Sequence, residues 1–94
     1  MSLFMIRIQL PSPSTAGDYA ELRDAMEKAG ASKQIVSDTG RSFELPHAEY
    51  CLESSLSIGE VRDRVVSYAK KVDRDPSVMV TEGVNFSWRL QPSD

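Results

Sequence analysis

The fold is decided by the stretch IVSDTGRSFELPHAEYCL, residues 35–52. Residues 35–37 are typical of the end of a strand, and residues 48–53 alternate in polarity as a returning strand does. Between them, Asp38-Thr39-Gly40 predicts a chain reversal, because aspartate can hydrogen-bond to its own backbone and glycine accepts a positive φ angle without steric cost. The stretch therefore predicts a β-hairpin whose two strands are joined by a long link.

One strand and one helix are predicted before the hairpin. Residues 4–10 alternate between apolar and polar side chains, which is the pattern of a half-buried strand. A helix over residues 16–29 follows, because Thr15 with Asp18 three positions later suits an N-cap and Gly30 suits a left-handed C-cap. The apolar residues at helical spacing indicate one buried face rather than a ligand pocket.

One helix and one strand are also predicted after the hairpin. Ser57 and Glu60 have the spacing of a capping box, which predicts the start of a helix. Val65 lies at the centre of the apolar stripe of this helix. Asp75-Pro76 ends the helix, because the residue before a proline avoids the helical conformation. The alternation that begins at Val78 then predicts another strand.

The order of these elements is β-α-β-β-α-β, which is typical of a split βαβ domain. We therefore predict an α+β two-layer sandwich, with an antiparallel sheet in the strand order 4-1-3-2 and both helices on one face. Ninety-four residues are enough for one such core and too few for two. Residues 1–94 are accordingly assigned to a single domain.

The C-terminal segment lies beyond this plan and is rich in apolar residues. Its apolar positions alternate with polar ones and are Val84, Phe86, Trp88 and Leu90. Either one long bent strand with a bulge at Gly83 runs through the segment, or the chain turns at residues 81–83 into a short fifth strand. Residues from about 84 to 94 are therefore treated as a C-terminal strand or extension.

This C-terminal apolar face needs a surface to cover it, because the two helices already cover the inner face of the sheet. We predict that a second copy of the chain supplies that surface. Val84, Phe86, Trp88 and Leu90 would then form the interface of a homodimer. The alternative is a fold-back in which Trp88 packs on the sheet of its own chain.

Charge and hydropathy restrict the class of protein. The formal net charge of -3 argues against a strongly basic, nonspecific nucleic-acid binder and leaves a local basic patch open. No apolar run approaches the roughly 18 residues that a membrane span needs, so no membrane partner is predicted. The N-terminus lacks the pattern of a signal peptide, which favours a cytoplasmic location.

Few residues offer the chemistry of a metal or catalytic site. Cys51 and His47 are the only cysteine and histidine, which excludes an intramolecular disulfide and a multi-cysteine zinc site. We therefore predict neither a cofactor nor metal-ligating residues. Phosphate-binding glycine loops, paired metal-binding histidines and a nucleophile elbow are missing too. A divalent metal held by few carboxylates and a substrate phosphate stays open, because such a site needs almost no motif.

Short motifs between about residue 5 and about residue 81 resemble one protein family. The motifs are Ile35-Val36-Ser37-Asp38-Thr39-Gly40, Leu45, Tyr50, Ser55-Leu56 and Pro11-Ser12. They are similar to the GhoS family, which consists of small bacterial antitoxins of type V toxin–antitoxin systems. The resemblance implies a ferredoxin-like fold related to the small CRISPR-associated endoribonucleases. It also implies a sequence-selective endoribonuclease that silences a toxin by cleaving its messenger RNA.

Three functions stay open at this point, and the last of them, a small-molecule sensor domain of similar topology, has no supporting motif. The first is an RNA-binding or RNA-cleaving antitoxin, in which Arg7, Lys33 and Arg41 contact phosphates. Asp38 is its candidate for acid chemistry, since the first strand ends in Arg7-Ile8-Gln9-Leu10 without an acidic residue. The second is a noncatalytic protein-interaction module that self-associates through its C-terminal strand. The residues alone leave open whether the protein is an enzyme.

Overall fold

The computed structural model describes residues 1–93, which contain two helices and five strands. In chain order they are β1 (Ser2–Gln9), α1 (Ala16–Ala29), β2 (Gln34–Val36), β3 (Ser42–Glu44), β4 (Glu49–Ser54), α2 (Ile58–Ala69) and β5 (Ser77–Gly83). The predicted α+β class is confirmed. Neither helix within residues 1–93 is long and apolar enough to cross a membrane.

Strand β1 is the centre of a three-stranded antiparallel sheet, with β4 on one side and β5 on the other. Ile6 lies opposite Tyr50 of β4 and Val80 of β5. Successive side chains of a strand point to opposite faces, so the even-numbered residues of β1 share one face of the sheet. Phe4 and Ile6 are fully buried there, which confirms the predicted half-buried first strand.

Both helices pack on that face and enclose the main hydrophobic core. The buried members of this core are Phe4, Ile6, Ile8, Leu10, Leu22, Ala25, Met26, Ala31, Tyr50, Leu52, Val61, Val65 and Ala69. Fully burying an apolar side chain the size of valine or phenylalanine contributes about 1.5–3 kcal/mol. The packing of the two helices on the sheet therefore supplies the main driving force for folding.

The N-termini of both helices are set by side-chain caps. Thr15 Oγ1 accepts a hydrogen bond from the Asp18 N–H at 3.1 Å, and Ser57 Oγ accepts one from the Glu60 N–H at 3.2 Å. The two carboxylates in turn accept from the N–H groups of the capping residues at 2.9 and 3.0 Å, so both capping boxes are present. Gly30 caps the C-terminus of α1 with a φ angle of 97°, which side-chain-bearing residues rarely adopt.

The chain reversal at Asp38-Thr39-Gly40 is confirmed, but the hairpin is shorter than predicted. Strand β2 pairs with β3, and the Ser37 N–H donates to the Arg41 carbonyl at 2.8 Å to close the turn. Gly40 has the positive φ angle, 83°, that the turn requires. The prediction that residues 48–53 return as the second strand of this hairpin is therefore wrong. The sequence does not reveal β3, because three residues are too few to show an alternating pattern.

The predicted four-stranded sheet is divided into two sheets. Strands β5, β1 and β4 lie side by side as predicted, whereas β2 pairs with β3 in a separate two-stranded sheet. One isolated bridge links the sheets, because Ser32 and Cys51 exchange backbone hydrogen bonds of 2.8 and 2.9 Å. Directly after this bridge, the Lys33 carbonyl accepts from the Leu45 N–H at 2.8 Å. The chain after Ser32 thus pairs with the β3 segment instead of continuing along β4, and the continuous order 4-1-3-2 is not observed.

Residues 84–93, which we call the tail, form an extension and not a further strand of the sheet. The Glu44 N–H donates to the Gln91 carbonyl at 3.0 Å, and the Ser93 N–H donates to the Ser42 carbonyl at 3.1 Å. These bonds tie the end of the tail to β3. Of the two predicted alternatives, a C-terminal strand or an extension, the structure therefore shows the extension over residues 84–90.

The tail packs on a second hydrophobic cluster, on the face of the sheet opposite the helices. Its buried members are Ile35, Leu45 and Cys51, and its partly buried members are Leu3, Met5, Phe43, Trp88 and Leu90. Leu3 and Met5 of β1 make this part of the face apolar enough to hold Trp88 within the same chain, which is the fold-back alternative. Val84 remains 91% exposed. A homodimer through the tail stays a prediction, with Trp88 and Leu90 already packed within their own chain.

Candidate functional site

A cleft of about 620 Å³ separates the turn of the hairpin from the tail. Residues 35–43 form one wall, residues 84–88 form the other, and Leu3 of β1 lies between them. Its volume is in the range of small-ligand sites, which are about 300–1,000 Å³. We call it the hairpin–tail cleft.

Aromatic side chains and one guanidinium group stand together in this cleft. The guanidinium carbon of Arg41 is 5.7 Å from the centre of the Phe43 ring. The Phe43 and Trp88 ring centres are also 5.7 Å apart, with the rings at 61° to each other. This edge-to-face geometry is favourable for aromatic pairs, and the cation lies within the distance of a cation–π contact. The cleft thus presents planar apolar surfaces next to a positive charge.

Phe86 reaches the cleft because residue 83 has no side chain. A Cβ atom on Gly83 would lie 2.0 Å from Cζ of Phe86, which is far below a van der Waals contact. The glycine at the end of β5 therefore lets the Phe86 ring lie directly on the strand backbone, a use of glycine that is common where another group approaches closely. Phe86 remains 37% exposed.

Asp38 stands at the tip of the hairpin turn. The turn is held by a hydrogen bond of 2.9 Å between the hydroxyls of Ser37 and Thr39, and by the Arg41 N–H, which donates to Ser37 Oγ at 3.2 Å. Among the described residues, 1–93, Asp38 is the only acid that lines the cleft. Within residues 1–93, no group of three histidine, cysteine or acidic side chains is placed to hold a metal ion.

The structure brings five of the eight predicted site residues together at the hairpin–tail cleft. They are Asp38, Arg41, Val84, Phe86 and Trp88. Phe43 also lines the cleft and was not predicted, because it lies in the segment that the sequence pattern assigns to a structureless link. An aromatic residue two positions after Arg41 is the signal that could have revealed it.

Lys33 lies away from the cleft. Its side chain holds the backbone of residues 45–49 in place by hydrogen bonds. Its ammonium group donates to the carbonyl oxygens of Leu45 at 3.2 Å and of Glu49 at 3.1 Å, and also to that of Pro46. Burial lowers the pKa of Lys33, and the carboxylate of Glu44 opposes that shift. An ammonium group has three donors, so these carbonyls occupy all of them. A phosphate contact by Lys33 stays a prediction that would require one of these bonds to break.

Arg7 lies on the open face of the sheet, at a distance from the cleft. Its guanidinium forms an ion pair with Glu49 at 3.5 Å, and its side chain is 72% exposed. Arg7 and Leu3 are four residues apart on β1, which corresponds to about 13 Å along a strand. Leu90 packs in the second cluster and does not line the cleft.

No protein-family model matches the chain, and no curated protein sequence is significantly similar to it. The likeness to the GhoS family therefore rests on the short motifs alone. The function must be inferred from the chemistry of the cleft itself.

We expect the free energy of unfolding to fall as pH rises from about 10.5 to 12. Burial raises the pKa of Tyr50 from 10.0 to about 12 and also raises the pKa of the Cys51 thiol. In this range the unfolded chain has lost protons that the folded protein still holds, so stability falls with pH. The lowered pKa of Lys33 acts in the opposite direction, but only below its ordinary value of 10.5.

Urea unfolding at several alkaline pH values measures this dependence. Tyr50→Phe removes the titrating hydroxyl, so its unfolding free energy is expected to change less between pH 10.5 and 12 than that of the wild type. An equally steep fall in the Tyr50→Phe variant would contradict the assignment.

Proposed function

We propose that the protein is a small RNA-binding protein and that the hairpin–tail cleft binds a short single-stranded segment of RNA. The observation that supports this most is the arrangement of Arg41 with Phe43, Phe86 and Trp88 around one open cleft. Bases stack on aromatic side chains, and each such contact contributes about 1–3 kcal/mol. A guanidinium group next to the rings neutralises a backbone phosphate or stacks on a base.

The architecture that we propose is ferredoxin-like. Strands β5, β1 and β4 run antiparallel in the order that this fold requires, and both helices pack on one face. Ser32 bridges to Cys51 on the free side of β4, where the fourth strand of such a sheet would lie. The separate β2–β3 hairpin would then be a local departure from that plan.

The GhoS resemblance extends this proposal to an antitoxin that silences a toxin messenger RNA. Binding alone can silence a messenger, whereas cleavage needs groups that move protons or hold a metal. Asp38 would supply such a group, with a divalent metal held between it and the substrate phosphate. Within residues 1–93, Asp38 is the one carboxylate that lines the cleft, which supports binding more directly than cleavage.

A titration with single-stranded oligoribonucleotides at low salt tests the proposal. Trp88 is the only tryptophan, so its fluorescence reports directly on the cleft. We expect RNA to quench Trp88 emission and Arg41→Ala to lower the affinity by about five- to tenfold, with a salt dependence reduced by about one ionic contact. Gel analysis of the bound RNA with added Mg²⁺ reads out cleavage in the same samples.

Arg74→Ala is the matched control, because Arg74 is exposed and precedes β5 at the end opposite Gly83. It is expected to bind RNA like the wild type. Unchanged Trp88 emission together with no gel retardation at low salt would remove the RNA proposal. Equal losses in the Arg41 and Arg74 variants would show that binding is diffuse and not centred on the cleft.

A further inference from the structure

The two ends of the tail are held in different ways. At its far end, Gln91 and Ser93 form backbone hydrogen bonds with β3, and Leu90 packs in the second cluster. Within the described part of the chain, the backbone of residues 85–90 forms no hydrogen bond with another backbone group. Val84, which follows the end of β5, is 91% exposed. The tail is therefore attached by backbone hydrogen bonds only near its far end, and the part that forms the cleft wall is held by side-chain packing of Phe86 and Trp88.

Segments with few backbone hydrogen bonds and little burial open at a low free-energy cost, whereas core strands open only with the whole fold. Opening the tail would leave the main core intact, because none of the buried core residues between the helices and the sheet belongs to it. It would remove Phe86 and Trp88 from the cleft and leave Arg41 and Phe43 in place. We call the tail docked when it packs on the second cluster and undocked when it has left that cluster. The cleft has its second wall only in the docked form.

We propose that the tail is a hinged wall of the RNA site, and that RNA binds the form in which the tail is docked. This inference rests on the proposed function, since it describes how that same cleft is regulated. When only a fraction of the molecules is competent to bind, the apparent dissociation constant rises in inverse proportion to that fraction. By linkage, bound RNA shifts the equilibrium between the docked and the undocked tail by the same factor by which docking raises the affinity for RNA. The position of the tail sets the affinity of the protein for RNA.

Leu90 allows the tail to be loosened without a change in the RNA contacts. It packs in the second cluster and does not line the cleft. Leu90→Ala in the full chain should therefore raise the undocked fraction. Ser93→Pro is an independent second variant, because proline lacks the N–H that Ser93 donates to the Ser42 carbonyl at 3.1 Å.

Two side chains report the docked fraction in the absence of RNA. Undocking exposes Trp88 to water and shifts its emission to the red. It also uncovers Cys51, the only cysteine, which is buried in the second cluster beneath the tail. The rate at which a thiol reagent modifies Cys51 therefore increases with the undocked fraction.

We expect each variant to lose affinity by the factor that its docked fraction predicts. A variant with half of its tails undocked binds RNA about twofold more weakly, and one with nine-tenths undocked about tenfold more weakly. At saturating RNA the variants reach the Trp88 emission of the bound wild type, and RNA slows Cys51 modification in all of them. Met79→Ala, at an exposed position on β5 outside the cleft, should change neither reporter nor affinity.

Several outcomes would contradict the proposed coupling between docking of the tail and affinity for RNA. Variants that undock and still bind RNA like the wild type would show that the tail is not part of the site. Variants that keep both reporters unchanged would show that Leu90 and Ser93 do not hold the tail. If the wild type binds no RNA, the proposed function fails, whereas Trp88 emission and Cys51 modification still measure the docking of the tail. Far-UV circular dichroism identifies any variant whose main core has unfolded.

Discussion

Val65→Asp is expected to lower the free energy of unfolding by about 4 kcal/mol or more. Val65 is 0% exposed and lies in the core that α2 forms with the sheet. The nearest groups in that core are apolar, so a carboxylate would lose its hydration and gain no hydrogen-bond donor. Small domains are stable by only about 5–15 kcal/mol, so this single change removes much of the total.

Thermal unfolding followed by circular dichroism measures this effect. One kcal/mol shifts the midpoint of a domain of this size by about 4–8 °C, so the transition should move by tens of degrees or disappear. Ser67→Asp is the matched control, since it adds the same charge to an exposed position of the same helix. An unchanged midpoint for Val65→Asp would show that the inner face of α2 is misassigned.

Phe4→Ala is expected to lower the free energy of unfolding by about 3–5 kcal/mol. Phe4 is 0% exposed on the central strand, where it lies opposite Leu52 of β4 and Glu82 of β5. Strands on both sides and helices above hold the surrounding atoms in place, so the cavity left by the ring cannot collapse fully. The loss therefore includes a cavity contribution beyond the transfer free energy of the ring.

Urea unfolding distinguishes this cavity from a general weakening of the sheet. Phe4→Ala should lower the midpoint concentration of urea and leave the slope of the transition unchanged, because the surface exposed on unfolding stays similar. Met79→Ala is the control on a neighbouring strand, where the side chain is 68% exposed and its loss should change the midpoint little. Similar midpoints for the two variants would contradict the central position of Phe4.

The candidate site could be predicted in part, and for local reasons. Asp38 and Arg41 flank the glycine of a tight turn, and the turn is visible in the sequence because its backbone requirement is local. The alternation of Val84, Phe86 and Trp88 is visible too, but it does not distinguish a strand from the extension that the structure shows, and the homodimer interface stays a prediction. Periodicity shows that apolar side chains share a direction. It does not show which surface they meet.

Most secondary structure follows from contacts within a few residues of the chain. The capping boxes at Thr15 and Ser57 and the alternation of β1 involve neighbours three or two positions apart, so the sequence alone determines these elements. The end of α2 is different: Asp75-Pro76 predicts the end of this helix, whereas the helix ends earlier, at Ala69. Its C-cap residue is Lys70 rather than glycine, so no local signal marks the end at Ala69.

Only the tertiary structure decided where β2 pairs and where the tail lies. After Ser32, the backbone can continue along β4 or pair with the segment around β3, and the Leu45 N–H together with the Lys33 ammonium group favours the second choice. The tail likewise meets an open sheet face that exists only after β1, β4 and the hairpin have come together. Caps, turns and periodicity are properties of neighbouring residues, and the sequence by itself determined them. The pairing of β2 and the position of the tail depend on hydrogen-bond partners and apolar surfaces that are distant in sequence. Those partners and surfaces exist only once the rest of the fold has formed.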